Sequence, residues 1–347
     1  MAAVGLQTHI WANNTRSAIL LAGFPVLMVA ILYGLQLVLM GFGILPNSGG
    51  TLGGDMALAA SWLTTTVPLA VIASAIWFTI AWFANQTMID AMTGARKVER
   101  RSEPELYNLL ENLAISRGMQ TPTLRIIETD ALNAYASGLH EGRYSVTVTR
   151  GLMQVLDRDE LEAVLAHELT HVINKDVRTM VIASIFAGIL SVVAELVLRN
   201  LIFMRGGRRE ENKNALPLIL IGLAIAALGY GLAIVIRMTL SRTREYVADA
   251  GAVELTKNPD AMIGALRKIE GRSSVPGPDE VQQMFLDNQP NGKGLEEWFA
   301  THPSISKRIE ALIKFGGGRD PGPWNGQGNG QAAAPAPRYS TSVPSAG

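Results

Sequence analysis

His167-Glu168-Leu169-Thr170-His171 is the stretch on which the reading of this chain turns. On an α-helix, residues four apart lie on one face, a turn from each other. Two imidazoles so placed can bind one zinc ion from the same side. Glu168 falls between them in angle, so its carboxylate can reach a water on that metal. A ligand pair and a general base in five residues point to metal-assisted hydrolysis. The chain holds only five histidines, His9, His140, His167, His171 and His302, so a chance match to this pattern is rare.

The surroundings support a helix. Asp157-Arg158-Asp159-Glu160 has the form of an N-cap with an acidic residue three positions on, a capping-box variant. Leu161, Val164, Leu165, Leu169, Val172 and Ile173 follow, with neither Pro nor Gly through Asp176. A helix apolar around most of its girth is buried. Polar groups inside it need partners, which a metal would supply. The plainer alternative is a helix with two satisfied histidines and a surface glutamate.

The chain has 347 residues, 48% hydrophobic and 17% charged, where soluble proteins carry roughly 25% charged residues. Its formal net charge of zero leaves no basic footprint for nucleic acid. With no cysteine, disulfides, thiolate metal ligands and thiol catalysis are excluded, and zinc ligands must be His, Asp or Glu.

Four stretches are long enough to span a bilayer, which takes about 20 apolar residues: 18–45, 56–84, 177–204 and 215–236. The first is too long for a signal-peptide core and has no basic n-region, so it reads as a retained span. Trp62, Trp77 and Trp82 are candidate interface anchors in the second. The loop 46–55 has no Lys or Arg, whereas Arg96, Lys97, Arg100 and Arg101 follow the second stretch, which puts residue 96 onward in the cytoplasm. Arg205, Arg208, Arg209 and Lys213, between the third and fourth stretches, conflict with that orientation. Glu195 and Arg199, at i,i+4 inside the third, either pair, line a cavity, or mark a helix packed on protein.

Between the hairpins lies a globular part. Residues 103–117 are helical in pattern, 123–129 and 144–149 read as strands, and 131–138 as a short edge strand followed by a turn at 138–142. A small sheet beside a metal helix suits a peptide-cleaving site, since an exposed edge can add an extended substrate as another strand. Ordinary core strands are the equal alternative. Catalytic zinc takes three protein ligands. The best candidate for the third lies in 241–250, where Glu245 and Asp249 sit one turn apart. One carboxylate could bind metal while the other accepts the free N–H of a ligating histidine. An acidic pair on a solvated helix explains the spacing equally well.

His167-Glu-Leu-Thr-His171, Ser241-Arg-Thr-Arg-Glu245-Tyr-Val-Ala-Asp249, and Thr301-His302-Pro303-Ser304 followed by Arg308-Ile309 occur in this order. The chain resembles the HtpX family of bacterial membrane zinc metallopeptidases, relatives of the type I CAAX prenyl protease, from the first hydrophobic hairpin to about residue 312. That resemblance implies one Zn2+ per chain on His167, His171 and Glu245, Glu168 as catalytic base, and Asp249 as support behind the metal. It implies a part for His302 in stabilising the oxyanion. Asn133-Ala134-Tyr135-Ala136 resembles the family's Asn-Ala-Phe-Ala substrate edge strand, with Tyr in place of Phe. The stress response is implied by the family name alone.

The chain is therefore expected to be a mostly α membrane protein with a zincin-like α+β catalytic domain and about four hydrophobic segments. Residues 1–94 form a transmembrane hairpin, 95–176 the first catalytic part, 177–237 a second hairpin, 238–315 the second catalytic part, and 316–347 a disordered tail rich in Gly, Pro, Gln, Ala and Ser. The loop-rich 273–301 reads either as a cover over the cleft or as an exposed connection. Expected partners are protein substrates, chiefly membrane proteins, and the lipid bilayer, with the catalytic part facing the cytoplasm across a bacterial inner membrane. The competing class is a transporter or scaffold using Glu195, Arg199 and Arg237 as intramembrane charges. The three soluble motifs count against it.

Overall fold

The structure is a computed structural model, and it describes residue 26 and residues 28–177, 213–275, 284–287 and 302–326. The third apolar stretch and the Glu195–Arg199 pair lie outside the described residues, as do the proposed tail beyond residue 326 and most of 273–301. The elements, in chain order, are α1 (Met28–Gly41), α2 (Leu52–Thr93), β1 (Arg96–Lys97), α3 (Pro104–Ser116), β2 (Thr123–Ile127), β3 (Ala134–Ser137), β4 (Ser145–Thr149), α4 (Arg150–Val155), α5 (Arg158–Ile173), α6 (Ala215–Thr256), α7 (Pro259–Ile269) and α8 (Ile305–Gly316). The architecture is mostly helical with one small mixed sheet.

One described helical stretch, Leu52–Ala73 within α2, is long and apolar enough to cross a membrane; Met28–Gly41 and Ala215–Ile225 are shorter apolar helices. Against the expected four spans, the described residues hold this one long stretch and these two shorter ones. α1, α2 and α6 pack together through Leu37, Met40, Ala59 and Leu218. Gly222 lets α6 approach α1, since a Cβ there would meet Gly34 O at 2.5 Å. At one end of this bundle Asp55 accepts from Ser48 and from Asn214 Nδ2 at 2.9 Å. The loop before α2 and the start of α6 thus share one end.

α6 differs from expectation. The apolar stretch ending near residue 236 and the acidic stretch at 241–250 are one continuous helix of 42 residues, about 63 Å long. Hydropathy changes along it while the backbone hydrogen bonding does not. Glu245 stands about 45 Å along α6 from Ala215.

The sheet order is β1-β2-β4-β3, with β2 and β4 parallel and the outer pairs antiparallel. The register places Leu124, Ile126, Val146, Val148, Ala134 and Ala136 on one face and Arg125, Thr147 and Tyr135 on the other. The first group joins the main core with Leu161, Val164, Leu165 and Leu169 of α5. The second meets the end of α2. Gln86 Oε1 accepts from Ser137 and Ser145 at 2.8 Å, Asp90 pairs with Arg125, and Thr93 Oγ1 lies 3.2 Å from the Tyr135 hydroxyl. Gln86, Asp90 and Thr93 share one helical face, so the apolar helix is bolted to the sheet through its polar end. Trp82, one of the candidate interface anchors, stacks on His140, ring centroids 5.8 Å apart.

Candidate metal centre

α5 begins with the capping box its sequence announces. Asp157 Oδ1 accepts from Glu160 N, and Glu160 Oε2 accepts from Asp157 N, both at 2.9 Å. Lys268 Nζ of α7 donates to the same Glu160 carboxylate at 2.5 Å. From that fixed start the helix carries His167, Glu168 and His171 into the interior, all buried.

α6 crosses α5 closely because Gly251 has no side chain. A Cβ there would meet Thr170 Cγ2 at 2.3 Å. This approach brings Glu245 to the two histidines. His167 Nε2 and His171 Nε2 are 3.1 Å apart and lie 3.6 and 3.7 Å from the Glu245 carboxylate oxygens. One ligand atom from each of the three lies within 4.8 Å of the others. Two imidazole nitrogens and one carboxylate around one point are a donor set for a divalent cation of zinc type. Glu245 Oε2 is buried without a hydrogen bond, as are both oxygens of Glu168. Orphaned buried carboxylate oxygens are costly, and a cation with its water would satisfy them. The residues therefore fit a metal.

Each histidine is held from behind. Asp249 Oδ1 lies 3.0 Å from His167 Nδ1, as the i,i+4 spacing from Glu245 suggested. Asp176 Oδ2 lies 3.0 Å from His171 Nδ1. Asp176 is a residue the motif reading missed. Lys175, at φ 60, turns the chain just past α5 so that Asp176 folds back under His171. Its signal was available: a carboxylate five residues after a ligating histidine, just past the helix end.

Arg308 of α8 ties these groups together. It is 1% exposed. Its Nε and Nη2 donate to the two oxygens of Asp249 at 2.8 and 2.6 Å, and its Nη1 lies 3.5 Å from Glu245 Oε2. Sequence showed Arg308 as part of a motif without a role. His302 stands with Nδ1 3.4 Å from Glu245 Oε1. Asn133 is buried, and its Nδ2 donates to Ser273 O and Asp287 O at 2.7 and 2.9 Å.

The electrostatics follow the geometry. Burial disfavours charge on His167, but Asp249 and Glu245 outweigh it and push the imidazole up to about 9. Burial raises Glu168, opposed in part by His167 and His171. Glu245 also loses solvation, yet His302, His167 and His171 hold it well below the usual carboxylate range. One carboxylate kept anionic as a ligand and another raised toward neutrality are environments suited to different tasks.

A buried His-His-carboxylate cluster on crossed helices, with an unbonded glutamate beside it, defines a metal-dependent hydrolase. Comparison with known proteins gives the class its family. The model for Peptidase family M48 matches residues 100–315, and the chain belongs to that family of metallopeptidases. It is 41% identical over 323 residues to a Protease HtpX homolog of Bacteroides fragilis, covering 90% of this chain and 99% of the relative. It is 33% identical over 292 residues to one from Lactobacillus acidophilus, covering 82% and 94%. A similarity to the crystal structure of S. mikatae Ste24p has a TM-score of 0.46 and 19% identity over 87% of this chain and 66% of that one. The protein is a membrane-associated metalloprotease.

Proposed function

We propose that the chain is a multi-pass zinc endopeptidase of the bacterial inner membrane that hydrolyses misfolded or damaged membrane proteins at the cytoplasmic face. The observation that carries this reading is the convergence of His167, His171 and Glu245 beside the two unbonded oxygens of Glu168. The extent of the metalloprotease relatives, and the joining of an apolar helix to the sheet, support its placement at a membrane. On this reading residues 1–94 and 177–237 are membrane hairpins, 95–176 and 238–315 form one zincin-like catalytic unit, and 316–347 is a tail.

His167, His171 and Glu245 would hold the zinc. When bound, it supplies the Lewis acidity that makes a water acidic near neutral pH. Glu168 takes a proton from that water as its oxygen adds to the scissile carbonyl, and delivers the proton to the leaving amine as the C–N bond breaks. Burial that raises Glu168 suits a group that must both accept and release a proton. Asp249 and Asp176, each 3.0 Å from a histidine Nδ1, would accept the Nδ1–H of His167 and His171 and leave each Nε2 free as a ligand. His302, whose Nδ1 lies 3.4 Å from Glu245 Oε1, would donate to the developing oxyanion.

The test is zinc content with chelator-sensitive cleavage of an unfolded protein. Glu168→Gln is expected to keep zinc and lose at least about 100-fold in turnover. His167→Ala or Glu245→Ala should lose both. Wild-type turnover by the Glu168→Gln protein would refute the assignment.

A further inference from the structure

Past Gly316 the chain turns back along α7. Gly317, at φ 73, makes the turn in the left-handed conformation. Gly318 is buried against the start of α7, where a Cβ would meet Ile263 Cδ1 at 2.6 Å. Arg319 N donates to Asp260 Oδ1 at 2.7 Å. Asp320 takes a two-point fork from Arg267, Nε at 3.0 Å and Nη2 at 2.5 Å, and its Oδ1 also accepts from Gly322 N. The Trp324 ring centroid lies 4.0 Å from the guanidinium carbon of Arg272. Residues 318–324 thus grip α7 from its first turn to just past its end. This segment lies beyond the family match, which ends at residue 315.

The gripped end of α7 leads to the wall of the metal site. Gly271, at φ 74, turns the chain; Arg272 O then accepts from Leu132 N at 2.8 Å, and Ser273 O from Asn133 Nδ2 at 2.7 Å. Leu132 and Asn133 directly precede β3. The same Asn133 Nδ2 donates to Asp287 O, and the Asp287 carboxylate accepts from Ser273 Oγ at 2.7 Å. One residue back, Leu286 O accepts from Arg308 Nη1, whose other nitrogens clamp Asp249. Leu132, Asn133, Ser273 and Asp287 are buried, whereas the Arg272 side chain is exposed. Trp324, by holding Arg272 from outside, therefore acts on one bonded node between β3 and the arginine behind the metal site.

We propose that residues 317–326 are a clasp that positions this wall without touching the site. Asp320 and Trp324 are its positioning residues, acting through Arg267 and Arg272. A site is precise only when the groups behind it are locked by packing and hydrogen bonds of their own. With the clasp open, the turn at 271–273 samples more positions, and the start of β3 moves with it. The inference rests on the endopeptidase reading, with β3 as the strand along which substrate is held.

The test uses the full-length zinc-loaded protein in detergent micelles, with Asp320→Asn, Trp324→Ala and the conservative Trp324→Phe. Amide exchange over 131–137 is read by mass spectrometry alongside cleavage of an unfolded protein. Asp320→Asn and Trp324→Ala are expected to speed that exchange about fivefold or more. Their kcat/KM should fall about threefold or more, chiefly through KM. Zinc content should equal the parent's, and Tm should stay within about 2 °C of it. Trp324→Phe keeps a ring over the guanidinium and should match the parent. Faster exchange confined to 317–326, with 131–137 and kcat/KM unchanged, would overturn the proposal and leave the segment a cover on α7. A lowered Tm with exchange raised across the whole chain would overturn it too, since the segment would then serve stability alone. If the parent cleaves nothing, the protease reading falls, and exchange over 131–137 still decides the clasp.

Discussion

Replacing Arg308 with methionine keeps most of its length and removes its charge. Asp249 then loses a two-point clamp, Glu245 loses a cation at 3.5 Å, and Leu286 O loses its donor. At an effective dielectric of about 20, each charge pair at such distances is worth about 5–6 kcal/mol before desolvation. Relief from burying the guanidinium offsets part of that. Removing one partner from a buried pair typically costs about 3–5 kcal/mol, because the remaining charge stays buried. For a domain of this size that lowers Tm by about 6–20 °C. The loss should be largest after chelation. A bound cation supplies positive charge to Glu245 and, through His167, to Asp249, so saturating zinc should recover part of it. The assay is thermal unfolding in micelles with zinc and with chelator. Arg308→Lys, which keeps the charge but not the planar fork, should fall between the two. A Tm drop below about 2 °C in the chelated protein would refute the claim that this guanidinium holds the centre together.

Asp176→Asn leaves the fold in place but gives His171 Nδ1 a weaker, neutral partner; Zn2+ affinity measured by chelator competition should fall about 10–100-fold. Gly251→Ala drives a Cβ into Thr170, whose branched side chain is stiff in a helix; it should cost about 1–3 kcal/mol in unfolding experiments and weaken Zn2+ binding with it. Tyr135→Phe removes one buried hydroxyl contact with Thr93 and should cost about 1 kcal/mol, readable as a small Tm shift with the metal site unaltered.

Much of the local architecture was legible. The capping signal at Asp157–Glu160 marks the start of α5, and apolar alternation marks β2 and β4. The edge strand expected in 131–138 narrows to Ala134–Ser137, because Asn133 is drawn into bonds with Ser273 and Asp287. α8 runs from Ile305 to Gly316, ending at Gly317 in the left-handed conformation. α7 carries its own signal, Asn258 as cap and Pro259 in the first turn, but its apolar face is too short to stand out in hydropathy. The division of α6 at residue 236 came from reading hydropathy as a boundary, which tracks the surroundings of a helix and not its backbone.

The sequence by itself determined the chemistry that is local. Two histidines and a glutamate at helical spacing share a face because 3.6 residues make a turn, whatever the rest of the chain does. Three motifs in order sufficed to indicate the family. Only the tertiary structure decided what Glu245 and Asp249 do, since their spacing fits a solvated acidic pair as well as a metal centre. That choice was made by a glycine at 251 that lets α6 close on α5, 80 or more residues away in the chain from the histidines it serves. Only the fold showed that Asp176 turns back to His171, that Arg308 clamps Asp249, and that Leu286 N reaches Ala134 O. Contacts such as these depend on how helices and strands pack, and packing carries no periodic mark in the sequence.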